Sequence, residues 1–205
     1  MLLQGDVQGE TYKKFIQYAL QTSDAFMLVT FRYLKPSVFS MKERIAQYKK
    51  SFPNIALTEE LITHFRQKED EDRQWQLLLE QKVPSVLGAF SPFLLKQRHN
   101  PVWPCTTAFP PPNIQYDINI YRADMAAVPL LCALDNYFGW RHPNFPEDLC
   151  FFRNNRCWTL GCSHEEFINV SPKDYREYLA LREMGINFFD DFSIDDPKTL
   201  FFEDY

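Results

Sequence analysis

Leu149-Cys150-Phe151-Phe152-Arg153, Asn154-Asn155, Arg156-Cys157-Trp158-Thr159-Leu160: two apolar runs separated by two asparagines decide the fold class of this chain. Asparagine tolerates positive φ, so Asn154-Asn155 between apolar runs reads as a two-residue β-hairpin turn. A hairpin makes the local pairing antiparallel. Upstream, residues 114–121 alternate, with Ile114, Tyr116, Ile118 and Ile120 on one face and Gln115, Asp117, Asn119 and Tyr121 on the other, the pattern of a half-buried strand. Ala25-Phe26-Met27-Leu28-Val29-Thr30-Phe31 is apolar almost throughout and reads as a buried strand.

Helical patterns surround these strands. Tyr12, Phe15, Ile16, Ala19 and Leu20 recur at three and four between Thr11 and Thr22. Ser40 caps a second helix with a stripe of Met41, Ile45 and Tyr48, and Pro53-Asn54 ends it. Thr58 opens a longer stretch carrying Leu61, Ile62, Phe65, Trp75, Leu78 and Leu79 around the charge run from Lys68 to Arg73. Ala123 to Phe138 reads as a further helix, with Pro129 bending it or marking its first turn and Gly139 stopping it. Ser171 and Pro172 supply an N-cap and a first helical residue for a last helix that ends near Gly185. Pro110-Pro111-Pro112 can join neither a helix nor a central strand and reads as a stiff extended connector. The expected fold is α+β: one domain over residues 1–187, with a small, mostly antiparallel sheet flanked by helices. A helical insertion occupies about 36–87, and an aromatic-acidic tail follows over 188–205.

Composition bounds the function. The chain has 205 residues, 19 Phe, 10 Tyr and only 6 Gly, enough apolar material for one sizeable core. Its net charge of −5 argues against nucleic-acid binding through a general basic face, since phosphate neutralisation needs surplus Lys and Arg. Neither a basic leader nor an apolar run of membrane-spanning length is visible, so the expected location is cytoplasmic, without a membrane partner. Five Cys, an odd count lying mostly within apolar runs, are expected as free thiols. No P-loop, dinucleotide-binding glycine pattern or His-Glu-x-x-His helix is present, and no cofactor is expected.

The block from Tyr137-Phe138-Gly139-Trp140 through Pro146-Glu147-Asp148-Leu149-Cys150, then Trp158 and Ser163-His164-Glu165, resembles a family of small bacterial proteins often labelled "stage III sporulation protein AH-like". Pro92-Phe93-Leu94 and Trp103-Pro104-Cys105-Thr106 look like that family's Pro-Phe-Leu and Trp-Pro-Gly-Thr segments, with Cys105 in place of the glycine. The resemblance implies a compact α+β domain of bacterial or phage type. The family has no established activity, so no catalytic residue is carried over.

Three functional readings follow. The leading one is a non-enzymatic protein-binding protein, an immunity, inhibitor or defence-system accessory component. It is motivated by the acidic balance, the charged insertion and the tail. Its candidate binding residues are Phe188, Phe189, Asp190, Asp191, Phe201, Phe202, Trp140, Glu147 and Asp148. The second is a hydrolase-type enzyme using Cys162 as nucleophile and His164 as base beside Glu165, Glu166 or Glu147. Neighbouring strand positions point to opposite faces, so closeness in sequence does not by itself bring the thiol to the imidazole. The third is a zinc-stabilised module built on Cys150, Cys157, Cys162 and His164. That spacing lacks the tight Cys-x2-Cys pair of structural zinc sites, and no metal ligand is assigned.

Overall fold

A computed structural model describes residues 1–33, 40–99, 103–104, 114–189 and 192. The asparagine hairpin is its clearest element. β4 (Glu147–Arg153) and β5 (Arg156–Cys162) pair antiparallel across Asn154 and Asn155, whose φ values of 49° and 59° are both left-handed, as a turn matched to strand twist requires. β1 (Ala25–Tyr33) lies on the other side of β4 and pairs in turn with β3 (Ile114–Arg122). The edges are β2 (Leu94–His99) and β6 (Phe167–Val170). The order β2-β3-β1-β4-β5-β6 is antiparallel throughout, which gives the α+β class.

β1 is apolar on both sides because both sides are covered. Phe26 and Leu28 face the main core, formed with Tyr12, Phe15 and Ile16 of α1 (Gly9–Thr22) and with Tyr178 and Leu181 of α5 (Tyr175–Glu183). Met27 and Val29 join a second cluster with Ile118, Ile120, Cys150, Cys157 and Trp103. β3 is correspondingly not half-buried: Asp117, Ile118, Asn119, Ile120 and Tyr121 are all interior. Its polar side is tolerated because it is paired. Gln97 Nε2 donates to Asn119 Oδ1 at 2.9 Å, and Asp117 meets His99 and Arg32.

Two helical expectations are corrected. Between Ala123 and Phe138 only Val128–Leu131 (α4) is α-helical, preceded by a 3₁₀ turn at Met125–Ala127. The N-terminal segment takes the backbone groups a longer helix would use: Asp6 Oδ1 accepts from Tyr137 N and Phe138 N at 3.1 and 3.0 Å, and Gly9 N donates to Asp135 O. Pro129 does sit in the first turn. The last helix is capped by Asp174, whose side chain accepts from Glu177 N at 2.8 Å, rather than by Ser171, whose N–H donates to Trp158 O just beyond β6.

α2 (Met41–Ser51) and α3 (Glu59–Ala89) form an antiparallel pair. Ser40 closes a reciprocal capping box with Glu43, and the Thr58 side chain caps α3. The C-terminal part of α3 seats on the sheet through Leu79 and Val83, and Trp75 stacks on Phe31 at 5.6 Å. None of the helices among the described residues is long and apolar enough to cross a membrane. The triple proline lies outside the described residues.

Candidate functional site

β4 begins with an irregularity that sets the local chemistry. Met27 of β1 faces Cys150 and Val29 faces Glu147, so β4 uses one residue more than β1 over this interval. The bulge places Asp148 at φ 58°, a conformation costing a non-glycine residue about 1–3 kcal/mol. Regular pleating would send consecutive side chains to opposite faces. Here both carboxylates reach one ring: His164 Nδ1 lies 3.3 Å from Asp148 Oδ1 and 3.9 Å from Glu147 Oε2.

β5 ends at Cys162, and His164 lies in the turn that follows, which brings its ring back to the Cys162 sulfur. Cys162 Sγ lies 3.8 Å from Nδ1 and 3.6 Å from Nε2. Asp148 is fully buried and triply held, with Oδ1 accepting from Ser163 N at 2.9 Å and Oδ2 accepting from Trp103 Nε1 at 2.7 Å. Glu147 is anchored from its other oxygen: Oε1 lies 2.8 Å from His142 Nδ1, away from the hydrogen-bonding direction, and 3.4 Å from the His142 backbone N. His142 Nε2 in turn faces Thr30 Oγ1 at 3.3 Å.

The charges follow from these contacts. Its hydrogen bond with Asp148, and then its contact with Cys162, push His164 up to about 11 against the opposing effect of burial, so the ring is an imidazolium at neutral pH. Burial raises Glu147, but His142 and His164 outweigh it and hold the carboxyl below its ordinary range.

As an acyl-transfer centre this arrangement is poorly assembled. Cys162 is fully buried, and its sulfur is almost equidistant from both ring nitrogens, whereas a thiol aligned with one lone pair would be much farther from the other. The Ser163 N–H is already spent on Asp148. Glu165 is exposed on the turn, and Glu166 is paired with Arg141 at 3.3 Å. As a set of donor atoms the cluster is better formed: Asp148, Cys162 and His164 each offer one ligand atom, all within 4.8 Å of one another. The Cys150, Cys157, Cys162, His164 run does not converge as the zinc-module reading needs. Cys157 points to Thr159 O at 3.3 Å beside Cys150, and burial pushes its thiol up, with Cys150 adding to the effect.

Family models, curated proteins and solved structures yield no match to this chain.

The proposed binding residues divide sharply by burial. Trp140 is wholly buried and donates from Nε1 to Tyr12 Oη, Phe188 packs on Tyr178 at 5.1 Å, and Asp148 belongs to the cluster above. These three are interior groups and cannot form a partner surface, because the aromatics complete the core and the carboxylate is internally paired. Glu147 is half-buried beneath His142, whereas Phe189 is exposed. Asp190, Asp191, Phe201 and Phe202 lie outside the described residues. The start of the tail folds back: Phe189 N donates to Leu2 O, and Phe192 packs on Tyr175 and Tyr178.

Sequence reasoning missed the arm's exposed apolar residues. Phe52 and Ile55 at the α2–α3 tip are 49% and 57% exposed, and Leu77 and Leu78 are exposed along α3. Along the shaft of the arm, charges are used internally: Arg44 pairs with Asp72, Glu69 accepts from Met41 N at 2.7 Å, and Glu71 pairs with Lys68.

Proposed function

We propose that this is a non-enzymatic protein-binding protein that engages a protein partner through the tip of its α2–α3 arm. The observation that carries the reading is the arm's burial. α2 buries no side chain, and α3 buries only Leu79 and Val83. At 1.5 Å per residue, the stretch of α3 before Leu79 extends about 30 Å. Helices of this kind draw most of their stability from an apolar face packed on something else. The arm contributes little to the core, yet it presents Phe52 and Ile55 at its far end. Apolar anchors surrounded by charge are the usual chemistry of a recognition surface.

Native mass spectrometry of protein purified gently from its source, compared with the variant Phe52→Asp/Ile55→Asp, tests this. A stoichiometric protein partner should accompany the wild type and be absent from the variant, with thermal stability unchanged. A bare wild-type chain, or a partner retained by both, refutes the assignment to the arm.

A further inference from the structure

The geometry points to a binding site for a single zinc ion, with Cys162 Sγ, a ring nitrogen of His164 and a carboxylate oxygen of Asp148 as protein ligands and Glu147 beside the fourth position. This ligand set differs from the cysteine run of the hairpin, and it stands independently of the arm.

The spacing carries the argument. Zinc binds thiolate at about 2.3 Å and imidazole or carboxylate at about 2.0–2.2 Å, so a tetrahedral site places its N and O ligands about 3.3–3.5 Å apart and its S and N ligands about 3.6 Å apart. Here Nδ1 and Oδ1 are 3.3 Å apart and Sγ and Nδ1 are 3.8 Å apart. The His164 ring thus stands near tetrahedral edge lengths from both partners, with Sγ 3.6 Å from Nε2, and all three donors lie within 4.8 Å of one another. Ligand type narrows the ion further, since thiolate with imidazole suits zinc and its borderline neighbours rather than magnesium or calcium.

The surroundings fit this role. Metal-bound carboxylates and imidazoles are oriented by outer hydrogen bonds. Asp148 is held by Trp103 Nε1 and Ser163 N, and Glu147 is held by His142, which leaves Oε2 3.9 Å from His164 Nδ1. The bulge at Asp148 is what turns consecutive carboxylates toward the same ring. His164 is 38% exposed, so the ion has an approach from solvent even though Cys162 and Asp148 are buried. Three protein ligands with a fourth position open to water or Glu147 is the arrangement of an open zinc site, not a closed structural one. Binding takes Cys162 as thiolate and His164 as neutral imidazole, and any proton these atoms carry beforehand is released to solvent.

The full chain, reduced with a non-chelating phosphine and stripped of metal, is titrated with Zn²⁺ against a chromophoric chelator and separately with Co²⁺. One ion per chain is expected, and the cobalt form should show a thiolate charge-transfer band. His164→Ala should weaken zinc binding more than tenfold, beyond the lower end of what outer-shell changes cost. Cys162→Ser should abolish the cobalt band, and Cys150→Ser should leave binding unchanged. His164 lies at the surface, so its variant remains a fair test even where the buried Cys162 variant fails to fold. Absence of stoichiometric binding, unchanged affinity in His164→Ala, or loss of binding in Cys150→Ser overturns the assignment.

Discussion

Replacing Glu177 with alanine should destabilise the fold by about 3–5 kcal/mol, because it removes the buried carboxylate from Arg153, whose side chain is only 16% exposed. Glu177 is 3% exposed, and its two oxygens accept from four groups. Oε1 takes Arg153 Nη2 at 2.8 Å and Tyr18 Oη at 2.6 Å, while Oε2 takes Arg153 Nη1 at 3.1 Å and the Lys173 backbone N–H. Arg153 also donates to Thr22 O and Oγ1 and lies over the Trp158 ring at 4.4 Å, so the pair joins α1, β4 and α5. At 2–4 °C per kcal/mol for a chain of this size, the melting temperature should fall on the order of 10 °C. Urea unfolding measures the free energy directly. The double variant Arg153→Met/Glu177→Leu should cost less than Glu177→Ala alone, since it leaves no unpaired charge. The acid limb is a second readout. Burial raises Glu177, but Arg153, the Lys173 N–H and Tyr18 together hold it below 4.5. A depressed carboxyl stabilises fully above its unfolded value and loses that contribution as pH falls through its folded value, so Glu177→Gln should flatten stability below about pH 4.5. A loss under about 1 kcal/mol in Glu177→Ala, or a double variant as damaging as the sum of the singles, would refute the clamp.

Two further outcomes are expected. Gly161→Ala should destabilise by about 1–3 kcal/mol or more in thermal unfolding, because its Cβ would fall 2.2 Å from Tyr137 Cε1 and 2.7 Å from the Leu149 carbonyl oxygen; wild-type stability would show that the ring moves aside freely. In metal-free protein, His164 should keep imidazolium NMR shifts through pH 8, and its contribution to stability, complete below about 6.5, should fade as pH rises toward 11; titration near 6.5 would remove the Asp148 pairing.

Elements with local signals were legible in the sequence. Asn154-Asn155 marks a turn whatever surrounds it, Ser40 and Thr58 cap the helices that follow them, and the apolar run at Ala25 needs two covered faces. Elements defined by a distant partner were not. β6 is four residues long and exists as a strand because β5 and the segment around Leu2 pair with it. β2 is mostly exposed and carries no strand alternation, yet β3 supplies its ladder. The helix expected at Ala123 to Phe138 had adequate propensity and lost to Asp6, more than a hundred residues away, whose carboxylate binds two of its N–H groups.

The donor cluster divides along the same line. Glu147-Asp148 and Cys162-Ser163-His164 are visible as separate polar groups, and the hairpin brings them close because Cys150 pairs with Leu160. Their convergence on one imidazole depends on a left-handed aspartate, and a bulge leaves no mark in residue spacing. That dependence has a consequence for mutation. Asp148→Gly would relieve the strained φ and delete the carboxylate together, whereas Asp148→Asn keeps the turn, favours the same φ and removes only the charge. If the bulge is retained for the donor set, Asp148→Asn should leave the fold near wild type while weakening zinc binding and releasing His164 toward its ordinary range. Loss of folding in Asp148→Asn would mean instead that the carboxylate's buried bonds to Trp103 and Ser163 hold the hairpin end, and that the convergence on His164 is their by-product.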